Sequence, residues 1–435
     1  MRRKLSDVGR WDEGQIAGRR WPIGCVSLEI TQRCNLDCTL CYLSEHSEAV
    51  RDLPLEEIFR RVDAIGAHYG PGTDVQVSGG EPTLRRRDEL IAIVRRIAAR
   101  EMRASLFTNG ILASRELLEA LAAAGLTDVA FHVDLTQQRK GYATEAELGR
   151  LRDRYIERAR GLPISVFFNT TVFDGNLEEI PALVRYFASR SDVVRVASFQ
   201  LQADTGRGVL GRRASEVTMD AVVERICRGA GTALDFDAFR AGHPHCNKYA
   251  MAWVVGGNLH DAFADREFAR RVMRRTAALR IPRTSPRAGV LAFLGEMARK
   301  PDLWAGSLQW LAGALWRARR DLVASRGRVH KISFFIHNFM DACDLDPERL
   351  HACVFMAATR DGPLSMCAYN ARRDELLLKP ITLLGGSSWS PTRCDPANVS
   401  APAAIYPIKF LKGRSRAAAL RDRSRTKPGL PPASP

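Results

Sequence analysis

No apolar stretch of about 18 residues or more occurs in this 435-residue sequence, so no segment reads as a membrane-spanning helix. The opening Met1-Arg2-Arg3-Lys4 is basic but lacks the following apolar run of a secretory signal, and a cytoplasmic protein is expected. Without an export signal, the ten cysteines argue against a disulfide framework and for metal or cluster ligation. Acidic residues are in short supply, 49 against 65 Lys and Arg, which leaves a formal charge of +16. Such a surplus suits anionic partners such as nucleic acid, lipid headgroups or acidic small molecules, though an Arg-rich composition alone could produce it. Hydrophobic content of 46% and charged content of 26% are those of a globular chain and exclude general disorder.

What is present is an alternation. Short β-type runs at 25–31, 74–78, 104–108, 128–134, 164–171 and 193–200 are separated by helical periodicity, as at 55–69, 88–102 and 114–124. Gly125 is a good C-cap for the last of these. Six β-α units imply a parallel sheet with right-handed crossovers. The fold class expected is α/β, a partial (β/α)6 TIM-like barrel over 21–205 with ligands at the C-terminal strand ends. A segment of 1–20 precedes it. A cysteine-bearing region spans 206–400, with an Arg-rich helical insert at 263–328, and a basic, Pro-rich tail covers 401–435.

The chemistry starts at Cys34-Asn-Leu-Asp-Cys38-Thr-Leu-Cys41, directly after the first strand. A [4Fe–4S] cluster normally takes four thiolates, so three leave one iron open. A zinc knuckle would want a fourth Cys or His, and His46 stands at an odd spacing for it. After the second strand comes Ser78-Gly79-Gly80-Glu81-Pro82, where two glycines allow close backbone approach and Glu81 could face an ammonium group. Asn109, Asp134, Asn169 and Thr171 close later strands, where ligand contacts are expected. Each could instead be a turn former or helix cap.

Cys-x3-Cys-x2-Cys after strand one, with Gly-Gly-Glu-Pro after strand two, resembles the radical S-adenosylmethionine (SAM) superfamily. The resemblance implies that Cys34, Cys38 and Cys41 hold the cluster and that SAM chelates its open iron. It also implies that Ser78, Gly79, Gly80 and Glu81 meet the methionyl amine; Asn109, Asp134, Asn169 and Gln200, at later strand ends, are the further candidate SAM contacts. Leu40 stands where the family usually has an aromatic residue.

Among the remaining cysteines, Cys246, Cys343, Cys353, Cys367 and Cys394 could supply four thiolates for an auxiliary [4Fe–4S] cluster. Structural zinc and plain buried thiols are the alternatives, and Cys25 and Cys227 read as core residues. The wording around them, Phe199-Gln200-Leu-Gln202, Thr205-Gly206-Arg207, His243-Pro-His245-Cys246, Cys353 and Met366-Cys367-Ala-Tyr369-Asn370, is similar to the archaeal tetraether-lipid synthase-like group. Part of that group has been linked to pterin methylation. This likeness implies Cys246, Cys353 and Cys367 as auxiliary ligands and a long-chain lipid substrate. The group's rubredoxin-like Cys-x2-Cys pairs are missing, and nothing in the group matches the insert.

The function expected is therefore reductive cleavage of SAM to a 5′-deoxyadenosyl radical, which takes hydrogen from an unactivated C–H bond on a lipid chain. The radical would then form a C–C bond or alkylate the chain. The electron donor would be a flavodoxin or ferredoxin. Leu303, Trp304, Leu308, Leu311, Leu315 and Trp316 at helical spacing, followed by Arg317, Arg319 and Arg320, suit either an interfacial helix on an anionic membrane or an ordinary lid helix. Peptide or RNA modification are other enzymatic readings, and a non-catalytic iron–sulfur carrier or RNA-binding protein is the alternative of another class.

Overall fold

The structure is a computed structural model that describes residues 23–210, 215–279, 286–383 and 385–392. The expected segment 1–20, the tail 401–435 and Cys394 lie outside the described residues. Six strands follow the expected alternation: β1 (Cys25–Thr31), β2 (Asp74–Gly79), β3 (Arg103–Thr108), β4 (Leu126–His132), β5 (Ser165–Val172) and β6 (Val194–Leu201). They pair in parallel in sequence order. Between them run α1 (Leu55–Tyr69), α2 (Arg87–Ala99), α3 (Arg115–Ala123), α4 (Gly149–Ala159) and α5 (Ile180–Ala188).

The period of two in each strand separates two faces. On β1, Val26, Leu28 and Ile30 are fully buried with Ile58, Val62 and Ile65, which recur every three to four residues along α1. Burying each such side chain stabilises the fold by roughly 1.5–3 kcal/mol. The intervening Ser27 and Glu29 point to the concave face, where Ser27 Oγ lies 2.7 Å from Ser78 Oγ of β2. Ser114 caps α3 by accepting from Leu117 N–H, and Gly125 ends that helix at φ +103°, the left-handed conformation for which glycine was expected there.

The second half adds to this sheet. After α6 (Met219–Ala230) come β7 (Asn247–Val255) and β8 (Asn258–Asp261), an antiparallel hairpin. The insert is three helices, α7 (Arg266–Arg275), α8 (Pro286–Ala298) and α9 (Trp304–Ala324), broken where prolines start new elements. Next, β9 (Val329–His337) pairs in parallel with β6 and antiparallel with β7. After α10 (Pro347–His351), β10 (Phe355–Thr359) pairs in parallel with β1, and β11 (Gly362–Ser365) closes that edge antiparallel. Then come α11 (Met366–Ala371) and α12 (Arg373–Leu378).

The order β11-β10-β1-β2-β3-β4-β5-β6-β9-β7-β8 thus contains eight adjacent parallel strands, two more than the sequence alternation reveals. β10 and β9 stand at the two ends of that set, yet Phe335 and His337 of β9 meet Phe355 of β10 with ring centroids 6.1 and 4.7 Å apart. The parallel set curls until its two end strands touch through side chains, without a backbone ladder between them. It is a TIM-like barrel of the partial kind, with a seam of rings.

Candidate functional site

The loop after β1 carries Cys34, Cys38 and Cys41 and is pinned from three sides. Thr39 N–H donates to Thr136 O (2.9 Å), Gly208 N–H to Cys41 O (2.9 Å) and Arg207 N–H to Leu43 O (2.9 Å). Tyr42 Oη donates to Gly79 O at 2.6 Å. Gly206 has φ +52°, and a Cβ there would stand 2.2 Å from Tyr42 O, so only glycine lets the loop after β6 lie this close. Arg207 then reaches both Cys41 Sγ and Asp37 Oδ1 at 3.3 Å. Burial pushes the Cys34 thiol up to about 11, with Cys41 adding to the rise. Cys38 is raised further by burial and by the charge of both other thiols. Buried thiols that repel one another's ionised form need a cationic group among them, which fits an iron–sulfur cluster. No group of three such side chains among the described residues is gathered as one metal ion would require. Thiolates on separate irons need no common point, so this spacing is compatible with a cluster.

The Gly-Gly-Glu-Pro turn packs on the cysteine loop. Cβ atoms on Gly79 and Gly80 would lie 2.0 Å from Thr31 O and 2.2 Å from Arg33 O, so the close approach these glycines permit is to the cysteine loop itself. Gly80 and Glu81 N–H donate to those two carbonyls at 2.9 and 2.7 Å. Glu81 is fully buried, and its carboxylate accepts from Thr83 N–H and Oγ1, Thr108 Oγ1 and Asn109 N–H. Both oxygens are engaged by the chain, so Glu81 ties β2 to β3 and does not present a free carboxylate. Ser78 is on the concave face beside Ser27.

Asp134 is likewise internal. It caps the short turn Leu135–Gln137 and accepts from Thr136 N–H (2.9 Å), Thr136 Oγ1 (2.5 Å) and Thr171 N–H (2.7 Å), with His132 Nε2 at 2.7 Å. Burial would raise its pKa, but His132 and these donors outweigh it and hold the carboxyl at about 2. The cap reading is the one realised. Asn109 bonds through Nδ2 to Asn35 Oδ1 (2.6 Å) in the cysteine loop. Asn169 and Gln200 face each other across β5 and β6 at 3.4 Å. His132, one-third exposed at the end of β4, is a concave-face group that sequence reading passed over. Its place two residues after Ala130 on the inward face was the available signal.

A second set of thiols lies round a small cavity lined by Cys246, Cys353 and Cys367 together with Phe339, Met340, Arg349 and Phe355. Arg349 Nε donates to Cys246 Sγ at 3.4 Å, and its Nη2 to Asn338 O at 2.6 Å. Met340 N–H points at Cys367 Sγ (3.4 Å). Burial pushes Cys367 up to about 12, with Cys353 and Cys246 adding. Cys343 is exposed and not on this lining, and Cys394 lies outside the described residues. Cys25 is buried in β1 and Cys227 is half-buried against the core.

The two sets are joined by a buried ion pair. Arg373 Nη1 contacts both oxygens of Glu29 at 2.7 and 2.8 Å, and Tyr369 Oη donates to the same carboxylate at 2.9 Å. The guanidinium sits between the rings of Tyr42 and Tyr369, 4.8 and 4.7 Å from their centroids. Burial opposes its charge, but Glu29 outweighs burial and holds it firmly protonated. Tyr42 follows Cys41 and Tyr369 comes two residues after Cys367, so one cation braces both cysteine sites.

Residues 28–187 match the model of the radical SAM superfamily. Three curated relatives are each similar to part of the chain. The 7,8-dihydro-6-hydroxymethylpterin dimethyltransferase of Methanocaldococcus jannaschii is 31% identical over 188 residues, 42% of this chain and 37% of that protein. A PqqA peptide cyclase of Methylobacterium nodulans is 29% identical, covering 38% and 42% respectively. A probable GTP 3′,8-cyclase of Pyrococcus abyssi is 31% identical, covering 41% and 58%. The chain thus spans between 37% and 58% of the length of these relatives. Among solved structures, Streptococcus suis SuiB bound to its precursor peptide SuiA aligns at a TM-score of 0.36 and 18% identity, over 48% of this chain and 46% of that one.

Proposed function

We propose, on the premise that residues 28–187 match the radical SAM superfamily model, that the chain is an enzyme that takes a hydrogen atom from an unactivated C–H bond of a lipid hydrocarbon chain. Formation of a C–C bond or alkylation would follow. Cys34, Cys38 and Cys41 would hold a [4Fe–4S] cluster with SAM on its open iron, and the pair supplies, when bound and reduced, a 5′-deoxyadenosyl radical. Arg207 fixes the Cys41 sulfur, and Tyr42 locks the cysteine loop to the β2 turn. Ser78, Asn169, Gln200 and His132 are the concave-face polar groups offered to the ribose and methionyl ends of SAM. Glu81, Asp134 and Asn109 hold the strand ends in register behind them. The electron donor would be a small flavodoxin- or ferredoxin-type protein.

The observation that carries the substrate class is the lining of the concave face beyond these groups. Tyr249, Phe335, His337, Phe339 and Phe355 form a continuous set of ring contacts with centroids 4.2–6.2 Å apart. Burial keeps the His337 imidazole neutral, its pKa pushed down to about 3. Rings without charge hold a saturated chain by dispersion and exclude water from it. Cys246, Cys353 and Cys367 would hold an auxiliary cluster at the end of this wall, where an electron could enter or leave the substrate radical. Peptide modification is the second reading, favoured by the likeness to the PqqA peptide cyclase.

The test is isotope transfer. Reduced, reconstituted enzyme would be given SAM and phospholipid with perdeuterated acyl chains, and 5′-deoxyadenosine read by mass spectrometry. Deuterium in that product supports the lipid reading. Unlabelled 5′-deoxyadenosine, with label arriving instead from deuterated peptides, establishes the second.

A further inference from the structure

Nine of the twelve large hydrophobic side chains exposed among the described residues lie between Val290 and Val323, on α8 and α9. α8 carries two charged residues in thirteen, Arg287 and Glu296, and is apolar nearly all round. Such a helix belongs in a core or at a membrane. Here it is on the surface, with Val290, Leu291 and Leu294 exposed by 58, 69 and 56%. On α9, Trp304, Leu308, Leu311 and Leu315 recur every three or four residues and are 47–68% exposed.

α9 is nevertheless firmly held. Asp321 accepts from Asn258 Nδ2 and pairs with His260 Nε2 at 2.8 Å each, which fastens the helix to the β7–β8 hairpin. Gly306 packs on Phe268 of α7, and Arg275 of α7 grips Asp302 at 2.8 Å just before α9. The helix is anchored on one side while its apolar row faces out.

Charge selects what covers that row. Residues 263–328 carry 15 Arg or Lys against five Asp or Glu, so ten of the sixteen surplus positive charges lie in this segment. Arg317 lies within the electrostatic reach of Asp261 in β8, whereas Arg319 stacks on Trp316 with its guanidinium 4.1 Å from the ring centroid and Arg320 is exposed. A nucleic acid would match the arginines and leave the leucines in water. A second copy of the chain would match the leucines and set like charges face to face.

We propose that α8 and α9 form a docking face for the surface of an anionic lipid bilayer, with Trp304, Leu308, Leu311 and Leu315 entering the headgroup–acyl boundary and Arg317, Arg319 and Arg320 meeting lipid phosphates. Neither helix is long and apolar enough to cross a membrane. The proposal concerns where the protein sits and does not depend on its substrate.

Flotation of the full chain with phosphatidylglycerol–phosphatidylcholine vesicles, against pure phosphatidylcholine, tests it. The wild type is expected to float with the anionic vesicles at least tenfold more than with neutral ones. A Leu308→Glu/Leu311→Glu/Leu315→Glu variant should lose at least tenfold, and Arg317→Glu/Arg319→Glu/Arg320→Glu should lose its preference for the anionic vesicles. Circular dichroism and iron content check that both variants remain folded. Failure of the wild type to float, or equal flotation of the leucine variant, overturns the proposal. So does a wild-type dimer in sedimentation velocity that the leucine variant dissolves, which would assign the face to a second copy. Absence of deuterium transfer from lipid leaves the flotation result standing, so the two readings fail separately.

Discussion

The two cysteine sites are built in opposite ways. Cys34, Cys38 and Cys41 share one eight-residue loop, whereas Cys246, Cys353 and Cys367 come from three segments spread over 122 residues. In the first site the spacing makes the site, and the fold only clamps it. In the second the fold makes the site, because Cys246 enters β7 at one end of the parallel set and Cys353 precedes β10 at the other. Both nevertheless place one guanidinium on one thiol, Arg207 on Cys41 and Arg349 on Cys246. The comparison teaches that the local triad depends on loop spacing and the distributed one on how the barrel closes.

The largest expected effect comes from removing the local triad. Changing Cys34, Cys38 and Cys41 together to Ala should lower 5′-deoxyadenosine formation about a thousandfold or more and take iron from about eight per chain to about four. Loss of all iron would mean that the second site holds none. Cys353→Ala should give the converse. Iron again falls to about four, but SAM cleavage persists while deuterium transfer from substrate is lost. Cleavage that collapses in this variant would break the division of labour.

Arg373→Met tests the brace between the sites. It leaves Glu29 buried without its cation and should cost about 3–5 kcal/mol in chemical denaturation. Iron should fall at both sites together. A fall confined to the second would show that the local triad needs no brace.

Asp134 gives a smaller, pH-dependent effect. Its folded pKa of about 2 lies below the unfolded carboxylate value, so it stabilises above about pH 4 and this is lost as pH falls through about 2. The contribution is on the order of 2 kcal/mol. Asp134→Asn should be less stable by about that amount at pH 7, and the difference should shrink towards pH 2 in urea titrations.

Much of the first half was legible because its signals are local. β1 and α1 fall on the residues that alternation and helical period mark, and the other five strands shift by no more than two residues at either end. The cysteine loop needs only its spacing. β9 and β10 were illegible because they join the sheet out of sequence order, after the three-helix insert and a loop, with no β-α rhythm to announce them. Glu81 and Asp134 were ambiguous for a related reason. A strand-end carboxylate looks alike in sequence whether it faces a ligand or accepts from Thr108 and Asn109, or from Thr136 and Thr171.

The ring seam between β9 and β10 makes this barrel behave less like a pipe than like a sleeve with a slit. Parting Phe335 and His337 from Phe355 costs ring contacts, each worth about 0.5–1.5 kcal/mol, and breaks no main-chain hydrogen bond along that edge. On this one line the wall is held by side-chain packing, where every neighbouring pair of strands is held by a ladder.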